Sequence, residues 1–125
     1  MIPQRTGFIR VIYAAKYSWQ GFRAAFKTEA AFRQELFFAV ILIPAAFWVG
    51  DNAVEVSLLI ASVLLLLIVE LINTAIEAVV DRFGDEWHEL SGVAKDVGSA
   101  AVILAIILIF IVWGLIAWEN FSNNL

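Results

Sequence analysis

The apolar positions of this chain gather into three long runs separated by short polar breaks. Leu36 to Gly50 holds 15 residues without a charge, Val56 to Val69 holds 14, and Val97 to Trp118 holds 22. A helix rises about 1.5 Å per residue, so only the last run alone crosses a hydrocarbon core of roughly 30 Å. The second run continues beyond Glu70 through Leu71, Ile72, Ala75, Ile76, Ala78, Val79 and Val80, broken only by polar residues at helical spacing. The first extends back through Ala30, Ala31 and Phe32, which puts Glu35 near an interface. Pro44 predicts a kink inside it, and lipid-embedded helices tolerate that better than soluble ones. The pattern thus predicts an all-α integral membrane protein with transmembrane helices over about 30–50, 53–82 and 93–119.

Residues 7–28 follow another pattern. Phe8, Ile9, Val11, Ile12, Tyr13, Tyr17, Trp19, Phe22 and Phe26 mix with Arg10, Lys16, Arg23 and Lys27. Aromatic and basic residues without a long apolar run predict an amphipathic helix lying in the membrane surface. A plain membrane anchor is the bland alternative. Gly50-Asp51-Asn52 signals a turn, Phe83-Gly84-Asp85 a break after the second span, and Ser91-Gly92 a soft point. With no repeats and no linker, residues 1–125 read as one domain.

Composition narrows the class. The 125 residues are 62% hydrophobic and 16% charged, with a mean hydropathy of +0.88. That is too little charge to cover a water-exposed globule, and too much apolar surface for disorder. There are no cysteines and one histidine, His88, which excludes disulfides, thiolate metal sites and histidine-rich metal sites. The net charge of −4 argues against nucleic acid as a partner. The eight basic residues fall in two places. Arg5, Arg10, Lys16, Arg23, Lys27 and Arg33 precede the first span, and Arg82 and Lys95 lie between the second and third. The positive-inside rule then puts the N-terminus in the cytoplasm and the C-terminus outside. No cleavable signal peptide is expected, because the N-terminal stretch lacks a compact apolar core.

The most informative segment is Glu70-Leu-Ile-Asn-Thr-Ala-Ile-Glu-Ala-Val-Val-Asp81. At about 100° per residue, with Glu70 at the origin, Asn73 falls at about −60°, Thr74 +40°, Glu77 −20° and Asp81 +20°. These polar residues share one stripe. A carboxylate at the membrane boundary costs several kcal/mol unless it meets water, a cation or a proton. Interhelical hydrogen bonding would account for Asn73 and Thr74. It does not account for three like charges on one face. Carboxylates without histidine or cysteine suit Mg²⁺.

Two further charged clusters face the same side. In Glu29-Ala-Ala-Phe-Arg33-Gln-Glu35 a local Glu29–Arg33 ion pair is the bland reading. In Asp85-Glu86-Trp87-His88-Glu89 it is a solvated loop, which fits Asp85 and Glu89 better than Lys95 and Asp96, since those abut the longest apolar run. Carboxylates hold Mg²⁺ and cations hold phosphate oxygens, so phosphoryl transfer to a lipid hydroxyl would need this inventory. No glycine-rich nucleotide motif is present. The charges alone leave a lipid kinase and a small proton-coupled transporter both open.

Several stretches carry a resemblance. They are Thr6-Gly-Phe-Ile-Arg10, Ala14-Ala-Lys-Tyr-Ser-Trp19, Glu29 to Glu35, Glu70 to Arg82 and His88-Glu-Leu-Ser-Gly-Val-Ala-Lys-Asp-Val-Gly-Ser-Ala-Ala101. In this order, and with the specific pattern E-x-x-N-[ST]-x-x-E-x-x-V-D, the chain resembles the bacterial integral-membrane diacylglycerol kinases from about Thr6 to Trp118. The resemblance implies transfer of the γ-phosphate of ATP to diacylglycerol, giving phosphatidic acid. It also implies a homotrimer in the inner membrane, each chain with a surface helix and three spans, and active sites between subunits.

Carried over by motif, Glu70 resembles the general base, and Asn73, one turn away, could orient Glu70 or Glu77. Glu29 and Glu77 resemble the ligands of the nucleotide-bound Mg²⁺. Arg10, Tyr17, Glu86, Trp87, His88, Lys95 and Asp96 match nucleotide-contacting positions, with Asp96 suited to a sugar hydroxyl or base amine. The positions matching lipid contacts are Ala14, Ser18, Trp19, Arg23, Phe26, Ala31, Phe32, Arg33, Gln34, Glu35, Trp48, Asp51, Ser99, Trp113 and Trp118, together with Glu70. The chain departs from the family pattern at Val56 and Val93, where arginines are usual, at Trp87 for tyrosine and at Phe26 for tryptophan. An undecaprenol kinase shares these motifs, although the surface helix and the tryptophans of the third span lean toward diacylglycerol. An ion-coupled transporter would leave Lys95, Asp96 and Glu29 without a role. An inactive accessory subunit would tolerate Glu70→Gln.

Overall fold

The computed structural model describes residues 6–84 and 86–123. Arg5 and Asp85 lie outside the described residues. Four helices follow one another: α1 (Gly7–Thr28), α2 (Ala30–Val49), α3 (Ala53–Asp81) and α4 (Glu89–Ser122). The described residues contain no strand. The last three helices are long and apolar enough to cross a membrane.

Local chemistry sets the breaks between them. Glu29 is the one extended residue between α1 and α2, and its N–H still bonds Ala25 O at 2.9 Å. The Arg33 guanidinium closes this corner by donating to Phe26 O at 2.7 Å and Lys27 O at 3.2 Å. A cation on the carbonyls that end a helix is favourable for its dipole. Arg33 therefore holds the end of α1, and the local Glu29–Arg33 ion pair does not form among the described residues.

At the second turn, Asn52 caps α3 by accepting from Glu55 N at 3.0 Å, and Glu55 Oε1 accepts from Asp51 N at 2.9 Å. α3 ends in a turn in which Gly84 N donates to Asp81 O at 3.1 Å. Gly84 has φ of +94°, a conformation that side chains disfavour. The Nδ1 of His88 accepts from Leu90 N at 3.1 Å and caps α4. With that cap in place the helix starts at Glu89 and passes through Ser91 and Gly92, which the sequence pattern had suggested as a soft point. α2 likewise continues as helix through Pro44.

α3 is the central helix. α4 lies along one side of it and α2 along another, while α2 and α4 touch little and α1 packs against the start of α2. The core sits at the α2–α3 turn, where Ala46, Val49 and Leu59 pack against Val112, Trp113 and Ile116. The indole N–H of Trp113 donates to Leu59 O and Ser62 Oγ, both at 3.2 Å. Asn120 Nδ2 ties all three spans together by donating to Val49 O and Glu55 Oε1, both at 2.8 Å. Asn120→Ala is expected to lower the melting temperature of the purified protein by several degrees, because a buried carbonyl loses its donor. Asn120→Asp should lower it further by facing Glu55 with a like charge. An unchanged melting curve for both would remove this latch from the account.

Large side chains such as Phe37, Phe47, Phe110 and Leu115 point outward from the single chain. So much exposed apolar surface suits lipid or further subunits rather than water.

Candidate active site

Helix α3 carries the polar stripe inward at the end away from Trp113. Ala53 to Glu70 measures about 26 Å of helix, close to the roughly 30 Å thickness of a hydrocarbon core. Glu70 is 3% exposed and Asn73 8%. Glu77 and Thr74 are half-buried, and Asp81 is exposed. The stripe therefore grades from interior to solvent over three turns. Thr74 Oγ1 donates to Glu70 O at 2.9 Å, so its hydroxyl serves its own helix.

Asn73 Nδ2 donates to Glu77 Oε1 at 3.1 Å. The amide thus orients Glu77, one of the two options its spacing offered. Asn73 Oδ1 and Glu35 Oε2 are buried without a hydrogen-bond partner. Glu70 feels the charges of Glu29 and Glu77, and Glu35 feels that of Glu70. Carboxylates from the α1–α2 corner, α2 and α3 thus converge. Such a group demands cations or protons.

Among the described residues, no three acidic or histidine side chains form a ready-made metal cage. A nucleotide-bound Mg²⁺ needs only one or two carboxylates, with phosphates and water completing its octahedron. Glu29 and Glu77, the two carboxylates the motif offers, suffice in number for that, and Asn73 holds the second by a hydrogen bond.

Lys95 Nζ meets Asp81 Oδ1 at 2.7 Å, and both side chains are largely exposed. An ion pair this exposed is weak, so Lys95 remains free to turn to a stronger anion. Glu86, Trp87 and His88 line a groove of about 820 Å³ together with Lys95. Asp96 follows Lys95 on α4 and is exposed, but it does not line the groove. Arg10 and Tyr17 are not part of this groove. Both lie on the exposed face of α1, where Tyr17 stands 6.3 Å from Tyr13 between ring centroids.

The lipid-matched positions divide. Trp19, Arg23, Phe26 and Phe32 line one apolar groove of about 390 Å³, closed by Leu67 of α3 and edged by Lys27. Ser18 lines a groove of about 550 Å³ between α1 and α3. Its hydroxyl donates to Ala14 O at 2.8 Å. Arg33 and Gln34 lie in a shallower groove with Phe37 and Phe38. Ala31 is half-buried and Ser99 exposed. Trp48, Asp51, Trp113 and Trp118 belong to the other end of the bundle. Trp48 lies 5.2 Å from Phe121 between centroids, Asp51 N bonds Glu55, and Trp113 bonds α3. Trp118 is exposed.

Sequence reasoning named Asp81 only as part of the stripe and assigned no role to Lys27, Gly98 or Asn120. A cation beside Arg23 at helical spacing could have flagged Lys27. Nothing local could have flagged Asn120, whose partner Val49 is 71 positions away.

Comparison with known proteins completes the picture. The diacylglycerol kinase of Escherichia coli (strain K12) is 54% identical over 122 residues, which is 98% of this chain and 100% of the relative. That of Haemophilus influenzae is 54% identical over 109 residues, covering 87% of this chain and 92% of the relative. That of Pseudomonas aeruginosa is 51% identical over 112 residues, covering 90% and 91%. The family model described as prokaryotic diacylglycerol kinase matches residues 16–117. With three helices able to cross a membrane and a match over most of its length, this membrane protein belongs to the prokaryotic diacylglycerol kinase family.

Proposed function

We propose that the chain is an ATP-dependent diacylglycerol kinase that makes phosphatidic acid, with Glu70 as its general base. Near full-length identity of 54% to diacylglycerol kinases supports the reaction. The observation that carries the site is the burial of Glu70 within reach of the charges of Glu29 and Glu77, and in this reading it lies where a lipid hydroxyl meets the cytosol.

In this reading the Glu70 carboxylate accepts the proton of the diacylglycerol hydroxyl. The hydroxyl oxygen forms its bond to the γ-phosphorus, the bond from that phosphorus to the β,γ-bridging oxygen breaks, and ADP leaves. Glu29 and Glu77 would hold Mg²⁺, which when bound would neutralise charge on the phosphate oxygens. Lys95 exchanges Asp81 for a phosphate, and Arg10 adds a second cation. Asp96 and the Glu86 to His88 segment take the nucleoside. The groove of Trp19, Phe26 and Phe32 receives acyl chain, with Arg23 at the headgroup.

Arg10 and Tyr17 do not line the Lys95 groove of their own chain, which is in keeping with sites shared between subunits, and the homotrimer rests on the family resemblance. The residues act as one membrane domain in the bacterial inner membrane. The basic residues before α2 favour a cytoplasmic N-terminus and a periplasmic C-terminus.

A competition assay tests the acceptor. Purified protein with Mg-ATP and equal diacylglycerol and undecaprenol is expected to form mainly phosphatidic acid. Mainly undecaprenyl phosphate would replace the acceptor. No transfer to either lipid by folded protein would remove the kinase reading.

A further inference from the structure

Asn73 is held from both ends, and only one end touches the carboxylates. Its Nδ2 donates to Glu77 Oε1 at 3.1 Å. Its Oδ1 is buried and has no hydrogen-bond partner. The neighbour it does have is Gly98 of α4, which is itself buried. A Cβ added to Gly98 would collide with Asn73 Oδ1 and come within 3.2 Å of its Cγ. Oδ1 therefore occupies the space a side chain would fill, against the Cα hydrogens of Gly98. Cα–H to oxygen contacts of this kind are weakly attractive.

The arrangement also fixes which way the carboxamide faces. Reversed, it would turn its oxygen toward the Glu77 carboxylate and press N–H donors against a Cα–H, leaving them unsatisfied. We propose that Gly98 is a positioning residue: its missing side chain lets α4 clamp the Asn73 carboxamide so that the donor end aims at Glu77. Gly98 is buried against Asn73 and acts through it. This rests on the reading of Glu77 as a ligand of the nucleotide-bound metal, to which Asn73 then stands as the outer partner.

The test is a binding measurement rather than an activity. Full-length protein in detergent is titrated with Mn²⁺ and a non-hydrolysable ATP analogue, and free Mn²⁺ is read by electron paramagnetic resonance. Loss of an outer partner typically weakens metal binding about 10- to 100-fold, and Gly98→Ala is expected to do so. Asn73→Ser removes the atoms that collide, so Asn73→Ser with Gly98→Ala should bind as Asn73→Ser does. Wild-type binding by Gly98→Ala would overturn the proposal. So would an undiminished further loss when Gly98→Ala is added to Asn73→Ser. Should Gly98→Ala alone not fold, the comparison on the Asn73→Ser background decides between the same two results. Glu77→Gln is the control: if it binds Mn²⁺-nucleotide as wild type does, the metal reading of Glu77 has failed, whatever Gly98 does.

Discussion

Glu70→Gln is expected to lower kcat for phosphatidic acid formation by about 10²- to 10⁴-fold, the usual worth of a positioned general base. The substitution keeps the shape of the side chain and removes only its ability to take a proton. It also removes one of several converging negative charges, since Glu29 and Glu77 both act on Glu70. The variant should therefore melt no lower than wild type, and lost activity cannot be assigned to unfolding. Binding of Mg-ATP should persist, because in the proposed mechanism Glu70 meets the lipid and not the nucleotide. The checks are a single-turnover assay, a nucleotide titration and a melting curve on one preparation. Full activity in the variant would remove Glu70 from proton transfer. Lost nucleotide binding would move Glu70 to the metal instead.

Glu77→Gln is the second large effect, and of a different kind. The Gln side chain can still accept from Asn73 through its amide oxygen, so the hydrogen bond now measured at 3.1 Å can survive while the charge is lost. What should change is the Mg²⁺ concentration for half-maximal rate at fixed ATP, which is expected to rise by at least about tenfold. Initial rates across a Mg²⁺ series measure this directly. An unchanged half-activation with a reduced kcat would place Glu77 in the chemistry rather than on the ion. Chelation by EDTA should silence the wild type and be reversed by added Mg²⁺.

Much of the architecture was legible in the chain. The three apolar runs correspond to α2, α3 and α4, and the mixed aromatic and basic segment to α1. Helical periodicity is local, and apolar length is set by the bilayer, so both can be read without knowing any neighbour. The inward stripe was legible for the same reason. Which members are buried is added by the structure: Glu70 and Asn73, at the stripe's apolar end.

The partners of these groups were not legible. Arg33 had a carboxylate four residues away and instead bonds the carbonyls that end α1. An uncapped helix end inside the α1–α2 corner offered it two fixed acceptors, whereas Glu29 is drawn into the corner backbone. His88 was a lone loop residue by sequence, and its ring nitrogen lets α4 begin before Ser91.

From the sequence alone come the number of spans, the face that carries charge and the family whose motif that face matches. The tertiary structure alone decides that Lys95 rests on Asp81, that Asn120 closes the end of the bundle away from Glu70, and that Gly98 leaves room for Asn73. Periodicity reports which side of a helix is polar, but the partner on that side is chosen by how neighbouring helices pack. Trp113 meets Leu59 54 positions away, and that contact depends on interhelical packing, which no spacing along the chain encodes.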